Sequence, residues 1–325
     1  MLQSLNSILE KLMPFITPSA VLIGVLFSGH LSPFTFLVPW VFAFMTFSGS
    51  LSSNFQSLQK AFKYPLPLLM ALFTLHLIMP LWAFGVGHLI FPDDGLTMTG
   101  LILSMVIPTG ITSFVWVSIY KGNIGLALSI ILIDTILSPF IVPASLSLFV
   151  SQKVEMNIGD IMSGLFLMVV IPSLIGMLCN QITCGRVKDT LGVQLAPFSK
   201  IAIGVVVAIN SSAVAPYLKN IDSKLLLIAC AVLFIALSGF ALSWLLSSLL
   251  KQGRETKASL LFTGGMRNIS AGAVIAVQYF PAPVAVPVVI GMLFQQVLAS
   301  LFGFLFHKRE MRANRIIKEA ETTVF

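Results

Sequence analysis

Apolar runs of about twenty residues, parted by short polar connections, recur along this 325-residue chain. A helix rising ~1.5 Å per residue needs about 20 such residues to cross the hydrocarbon layer of a bilayer. Ten runs meet that length, near 13–30, 33–52, 64–91, 97–120, 123–150, 159–180, 198–216, 224–250, 255–280 and 284–307. Only 10% of the residues are charged, against roughly 25% in a soluble domain whose surface must face water. A soluble core cannot hide that much apolar surface. The expected fold class is an all-α polytopic membrane protein of ten transmembrane helices.

The basic residues set the orientation. With the N-terminus in the cytoplasm, fifteen lysines and arginines fall on the inner side, against Lys153, Lys219 and Lys224 outside. That bias predicts a multi-pass protein of the inner (cytoplasmic) membrane with both termini cytoplasmic. The net charge of +7 is spread between spans and does not gather on one face. Membrane lipid is therefore an expected partner and nucleic acid is not, while nothing in the sequence sets an oligomeric state. Glu10 and Lys11 interrupt the opening stretch, so no cleavable signal peptide is expected. Residues 53–63 are short and amphipathic, as suits a helix lying along the inner interface. Residues 308–325 form a basic cytoplasmic tail.

Helix interiors avoid glycine and proline, yet two spans concentrate them, among hydroxyl and amide side chains, at their midpoints. The fourth carries Pro108-Thr109-Gly110-Ile111-Thr112-Ser113, and the ninth Thr263-Gly264-Gly265-Met266-Arg267-Asn268-Ile269-Ser270. Backbone released from helical bonding is tolerated at membrane depth only against protein or a watery cavity. The two breaks hold the same ordinal place in two five-span halves, 1–160 and 161–307. Five is odd, so the second half would insert upside down. Inverted repeats with paired interrupted helices mark the binding site of secondary transporters.

Asp134 and Arg267 lie at matching depth, about 11 and 12 residues into their spans, or ~17 Å at helical rise. A charge there costs at least ~2.5–3.5 kcal/mol without a partner, so the two are expected to pair, directly or through water. The alternative is a structural ion pair tying two bundles. His76 is also deep; a lone histidine there is ordinarily hydrogen-bonded packing, and a proton relay is the functional alternative. Cys179, Cys184 and Cys230 have no metal-ligand spacing. No nucleophile–base pair, metal cluster or nucleotide loop is visible, so no enzyme, catalytic residue or cofactor is expected.

The run PTGITSFVWVSIYKGNIGLALSIILIDTILSPFIVP (108–143), with GGMRNISAG (264–272) and PVAVPVVIGMLFQQ (283–296), resembles the bile acid:sodium symporter family. The resemblance implies a panel domain and a core domain crossed by two discontinuous helices. It also implies two sodium sites, but their ligand positions are altered. Ser113 is kept, whereas family oxygen ligands correspond to Phe114, Ala127, Ile131, Thr263 and Leu75, and a glutamine to Arg267. The expected ion-coupling or charge-pair group is therefore Asp134, Arg267, Thr263 and Met266, with Arg267 standing in for a sodium charge. Coupling is then to a proton through Asp134, or the protein is an uncoupled facilitator. The alternative is a sodium symporter with rebuilt sites. The expected substrate site comprises Thr109, Gly110, Thr112, Ser113, Asn268, Ser270 and Gln295.

An arginine with two half-helix N-termini favours a carboxylate. The expected function is secondary transport of a small organic anion, of the pantoate or keto-acid kind, by alternating access. The string Phe114–Trp116 also resembles arsenite efflux permeases, but the cysteine those carry at the place of Thr109 is missing. A channel or a non-transporting sensor or scaffold are the remaining alternatives.

Overall fold

The computed structural model describes residues 2–53, 55, 65–149, 154, 156–219 and 221–323. Among them every regular element is a helix, and the one β-like pairing is an isolated bridge. The first helices are α1 (Leu2–Leu26), α2 (Ser28–Ser50) and α3 (Pro65–Ile90). Next come α4 (Gly95–Val106), α5 (Ser113–Ile119), α6 (Ile124–Phe149), α7 (Ile158–Ile182) and α8 (Lys188–Ala213). The last are α9 (Ser223–Leu249), α10 (Arg254–Gly265), α11 (Ile269–Tyr279) and α12 (Ala285–Thr323).

Seven helices are long and apolar enough to cross a membrane: α2, α3, α6, α7, α8, α9 and the segment Ala282–Met311. Three shorter apolar stretches, Phe15–Leu26, Gly95–Val106 and Ile269–Tyr279, fall in the first, fourth and ninth apolar runs. The fourth and ninth fall short because their helices are interrupted where the sequence concentrates glycine and proline. Three local details add to this picture. The chain leaves α1 at Phe27 (φ −101°, ψ 26°), ahead of the turn expected at His30–Pro33. A 3₁₀ stretch, Ser32–Leu37, carries Pro33 at its start, where a missing N–H costs nothing. The tail continues α12 without a break. The expected interfacial helix at 53–63 lies almost wholly outside the described residues.

The helices sort into two groups. In one, α1 packs along α8, and α2 packs on α7 and α8. In the other, α4, α6, α9, α10, α11 and α12 pack on one another around the two breaks, with α3 alongside α4, α6 and α9. Each group draws helices from both halves of the chain. Leu22, Trp40, Leu89, Leu148 and Ile182 point outward and are exposed, as a face turned to lipid requires. Asp94 caps α4, accepting from Thr97 N–H (3.1 Å) and the Thr97 hydroxyl (2.6 Å). It also meets Lys224 of α9 at 2.7 Å.

Burial alone would raise the Asp94 pKa, but Lys224 and Thr97 outweigh it and hold the carboxyl below the ordinary 3.8. A lowered folded pKa gives stability that is present above the unfolded value and is lost as pH falls through the folded one. Asp94→Ala is expected to cost about 1 kcal/mol at neutral pH. Thermal melts in detergent should show that cost shrinking as the pH is taken below 3.8.

Candidate functional site

Pro108 ends α4 because the residue before a proline is driven out of the α region: Ile107 adopts φ −61°, ψ 148°. Met266 ends α10 in extended conformation, at φ −108°, ψ 128°. The two extended stretches meet as an antiparallel bridge between Thr109 and Arg267. Gly110 N–H donates to Met266 O (3.3 Å) and Asn268 N–H to Pro108 O (2.7 Å). Each break thus satisfies backbone groups that the other freed, as burial demands. A Cβ on Gly110 would lie 2.8 Å from Arg267 O, so only glycine allows this approach.

Side chains lock the junction from four neighbours. The Thr109 hydroxyl donates to Thr263 O (2.8 Å), and the Thr263 hydroxyl donates to Ser259 O (2.8 Å). Gln295 of α12 accepts the Arg267 N–H through Oε1 (2.8 Å). Asn268 caps α11 through Oδ1, accepting from Ala271 N–H (3.3 Å). The turn Lys121–Asn123 fastens α6 to α10: Asn123 N–H donates to Glu255 O (3.1 Å) and the Ser259 hydroxyl to Asn123 O (2.9 Å).

Asp134 is fully buried, and both its oxygens are engaged. Oδ2 accepts the Thr109 N–H at 2.6 Å, and Oδ1 stands 2.7 Å from His76 Nε2. Of the expected pairing with Arg267, directly or through water, the direct contact is not formed. The physical reason is the break: it exposes the Thr109 amide, and a buried donor draws in the nearest acceptor. Arg267 is 2% exposed, and its three guanidinium nitrogens have no hydrogen-bond partner among the described residues.

His76 belongs to the constellation. It sits in a wide π-helical turn of α3, Thr74–Ile78. Pro80 supplies no N–H to the carbonyl of residue 76, four residues earlier, and its ring crowds that carbonyl; widening the turn relieves both. Its depth, noted in the sequence, is 11 residues beyond Pro65, level with Asp134 and Arg267 in their spans.

The other expected site residues divide in two. Ser113 is fully buried with a partnerless hydroxyl, while Thr112, Asn268, Ser270 and Gln295 are half-buried around the junction. The Met266 side chain instead packs with Phe240, Phe262 and Val117, and only its carbonyl serves the junction. Sequence reading also missed Gln296, whose Oε1 accepts from Trp116 Nε1–H (3.1 Å). Asn210 and Ser211 of α8 were missed too; both are buried, with side chains that have no hydrogen-bond partner among the described residues.

The positions expected to have lost sodium ligands are filled by packing. Leu75 is buried with Ala71, Leu126, Ile130 and Leu260, and Ala127 with Phe262 and Val117. The Thr263 oxygens serve the hydrogen bonds above. This donor set does not fit the two sodium sites that the resemblance implies, since sodium needs several free oxygens.

Residues 39–221 match the model of the sodium bile acid symporter family. The chain belongs to that family. It is a multi-pass membrane transporter. It is 57% identical over 300 residues, covering 92% of this chain and 98% of the relative, to "Uncharacterized protein YbaS" of Bacillus subtilis (strain 168). It is 25% identical to "Uncharacterized sodium-dependent transporter YocS" of the same organism, over 85% of this chain and 87% of that one. Identity is 23% to "Probable sodium/metabolite cotransporter BASS2, chloroplastic" of Oryza sativa subsp. japonica, over 83% of this chain and 64% of the relative. Family membership thus agrees with the motif resemblance.

Proposed function

We propose that this family member is a secondary carrier of a small organic anion, held at the junction of the broken helices by Arg267. The observation that carries the reading is the buried, partnerless guanidinium. A buried cation without hydrogen bonds costs several kcal/mol. A carboxylate removes that cost by matching the planar fork with two charge-assisted bonds. Ser113 adds a free hydroxyl beside the break. Thr109, Gly110, Thr112, Asn268, Ser270 and Gln295 complete the substrate site, with Thr109 and Gln295 fixing its frame. Pantoate and short keto acids match the single anchor.

The carrier has ten spans in two inverted five-helix repeats, 1–160 and 161–307, with cytoplasmic termini in the cytoplasmic membrane and the basic tail 308–325. Seven long and three shorter apolar stretches support that count. Helix groups drawn from both halves support the repeat, and alternating access follows as one group moves against the other. Arg267 supplies the positive charge that a sodium ion would bring, so transport is sodium-independent.

Counterflow tests the reading without presuming a driving ion. Proteoliposomes preloaded with unlabelled pantoate, 2-oxoisovalerate or pyruvate are expected to accumulate the same labelled anion transiently, in sodium-free buffer. Absence of counterflow for every carboxylate in a broad panel would sink the proposal.

A further inference from the structure

Asp134 of α6 links two elements, α3 and the break of α4. One oxygen meets His76 on α3, and the other holds the amide at the break of α4. His76 Nδ1 is buried and has no hydrogen-bond partner among the described residues. The elements packed around this pair bring few other charges. Asp94 and Lys224 stand at the starts of α4 and α9, Asp160 at that of α7, and Arg254, Glu255 and Lys257 in the first turn of α10. His88 and Tyr279 lie near the ends of α3 and α11, and His307 with the basic tail lies at the far end of α12; α5 has none. At mid-depth the ionisable set is His76, Asp134 and Arg267.

Their charges decide what can enter together. With a neutral imidazole, Asp134 and Arg267 sum to zero. An anion alone leaves the buried site at −1, and a proton alone leaves it at +1. Either state buries an uncompensated charge, at a cost of at least ~2.5–3.5 kcal/mol. Both together restore zero, so each ligand favours the other, and the coupling is reciprocal.

We infer that the His76–Asp134 pair is a proton-binding site whose proton accompanies the anion on Arg267. The inference rests on the anion reading above. The proton joins the pair from water on one side and leaves it to water on the other. Protonation removes the ionised acceptor at Oδ2, and a hydrogen bond to a neutral acceptor is about half as strong. The grip on the Thr109 amide therefore loosens when the site is loaded, and transport is electroneutral.

Two measurements on the purified protein in lipid test this. In the first, infrared titration from about pH 5 to about pH 9 is expected to show a protonated carboxyl band on acidification. The band should be absent in Asp134→Asn and displaced in His76→Gln. If neither this band nor the His76 ring modes titrate in that window, the proton site is refuted. In the second, 2-oxoisovalerate, pantoate or pyruvate is added to weakly buffered wild-type protein. Uptake of up to about half a proton per anion bound is expected for a tenfold coupling, which raises the infrared midpoint by about one pH unit. Anion binding without proton uptake refutes the coupling and leaves the anion reading intact. A titrating pair in a protein that binds none of the anions refutes the anion reading and, with it, the co-transport.

Discussion

Arg267→Gln is expected to abolish anion transport and to lower the thermal stability of the solubilised protein. Arg267 is 2% exposed and its guanidinium has no hydrogen-bond partner among the described residues. In the empty protein it balances the buried charge of Asp134, and removing it leaves that carboxylate uncompensated, at a cost of about 3 kcal/mol. In the loaded protein it is the anchor, and losing a charge-assisted pair of about 3 kcal/mol lowers affinity about 100-fold. Arg267→Lys keeps the charge but loses the fork, so it should retain part of the affinity. Melting temperature and counterflow on the same preparation read both effects. A glutamine variant that still transports at the wild-type rate would remove Arg267 from the site.

Gly110→Ala is expected to disable the carrier through its backbone. The added Cβ would meet Arg267 O at 2.8 Å and Arg267 C at 3.1 Å, and backbone atoms cannot swing aside as a side chain does. The antiparallel bridge must open, and with it the bonds Gly110 N–H to Met266 O and Asn268 N–H to Pro108 O. A loss of about 2 kcal/mol in stability and more than tenfold in transport follows. Gly85→Ala in α3 is the control, since a Cβ there meets nothing within 4 Å. It should be neutral or gain up to about 1 kcal/mol from helix propensity.

The long apolar runs were legible because hydrophobic length maps directly onto bilayer thickness, and the breaks were legible because proline and glycine mark lost helical bonding. Burial of Asp134 and Arg267 was legible from their depth. Their partners were not. Sequence position gives depth but not direction around the helix axis, and the wide turn at Thr74–Ile78 shifts that direction for His76. The true partner of Asp134 Oδ2 is a backbone amide, and a backbone donor leaves no residue type to read. Met266 stood in the motif for the same hidden reason: its carbonyl does the bonding while its side chain packs among aromatics. Gln295, chosen for its polarity, does reach the junction, though to fix Arg267 N–H and not the guanidinium.

The most direct test of the account is uptake of labelled small carboxylates into proteoliposomes, with proton and sodium gradients imposed separately at clamped voltage. The account predicts that an inward proton gradient drives uptake and that a sodium gradient adds nothing, since Arg267 already supplies the cation. Uptake driven by sodium at constant pH would contradict it, and would mean that the ion sites are built from ligands other than the packed positions Leu75, Ala127 and Ile131.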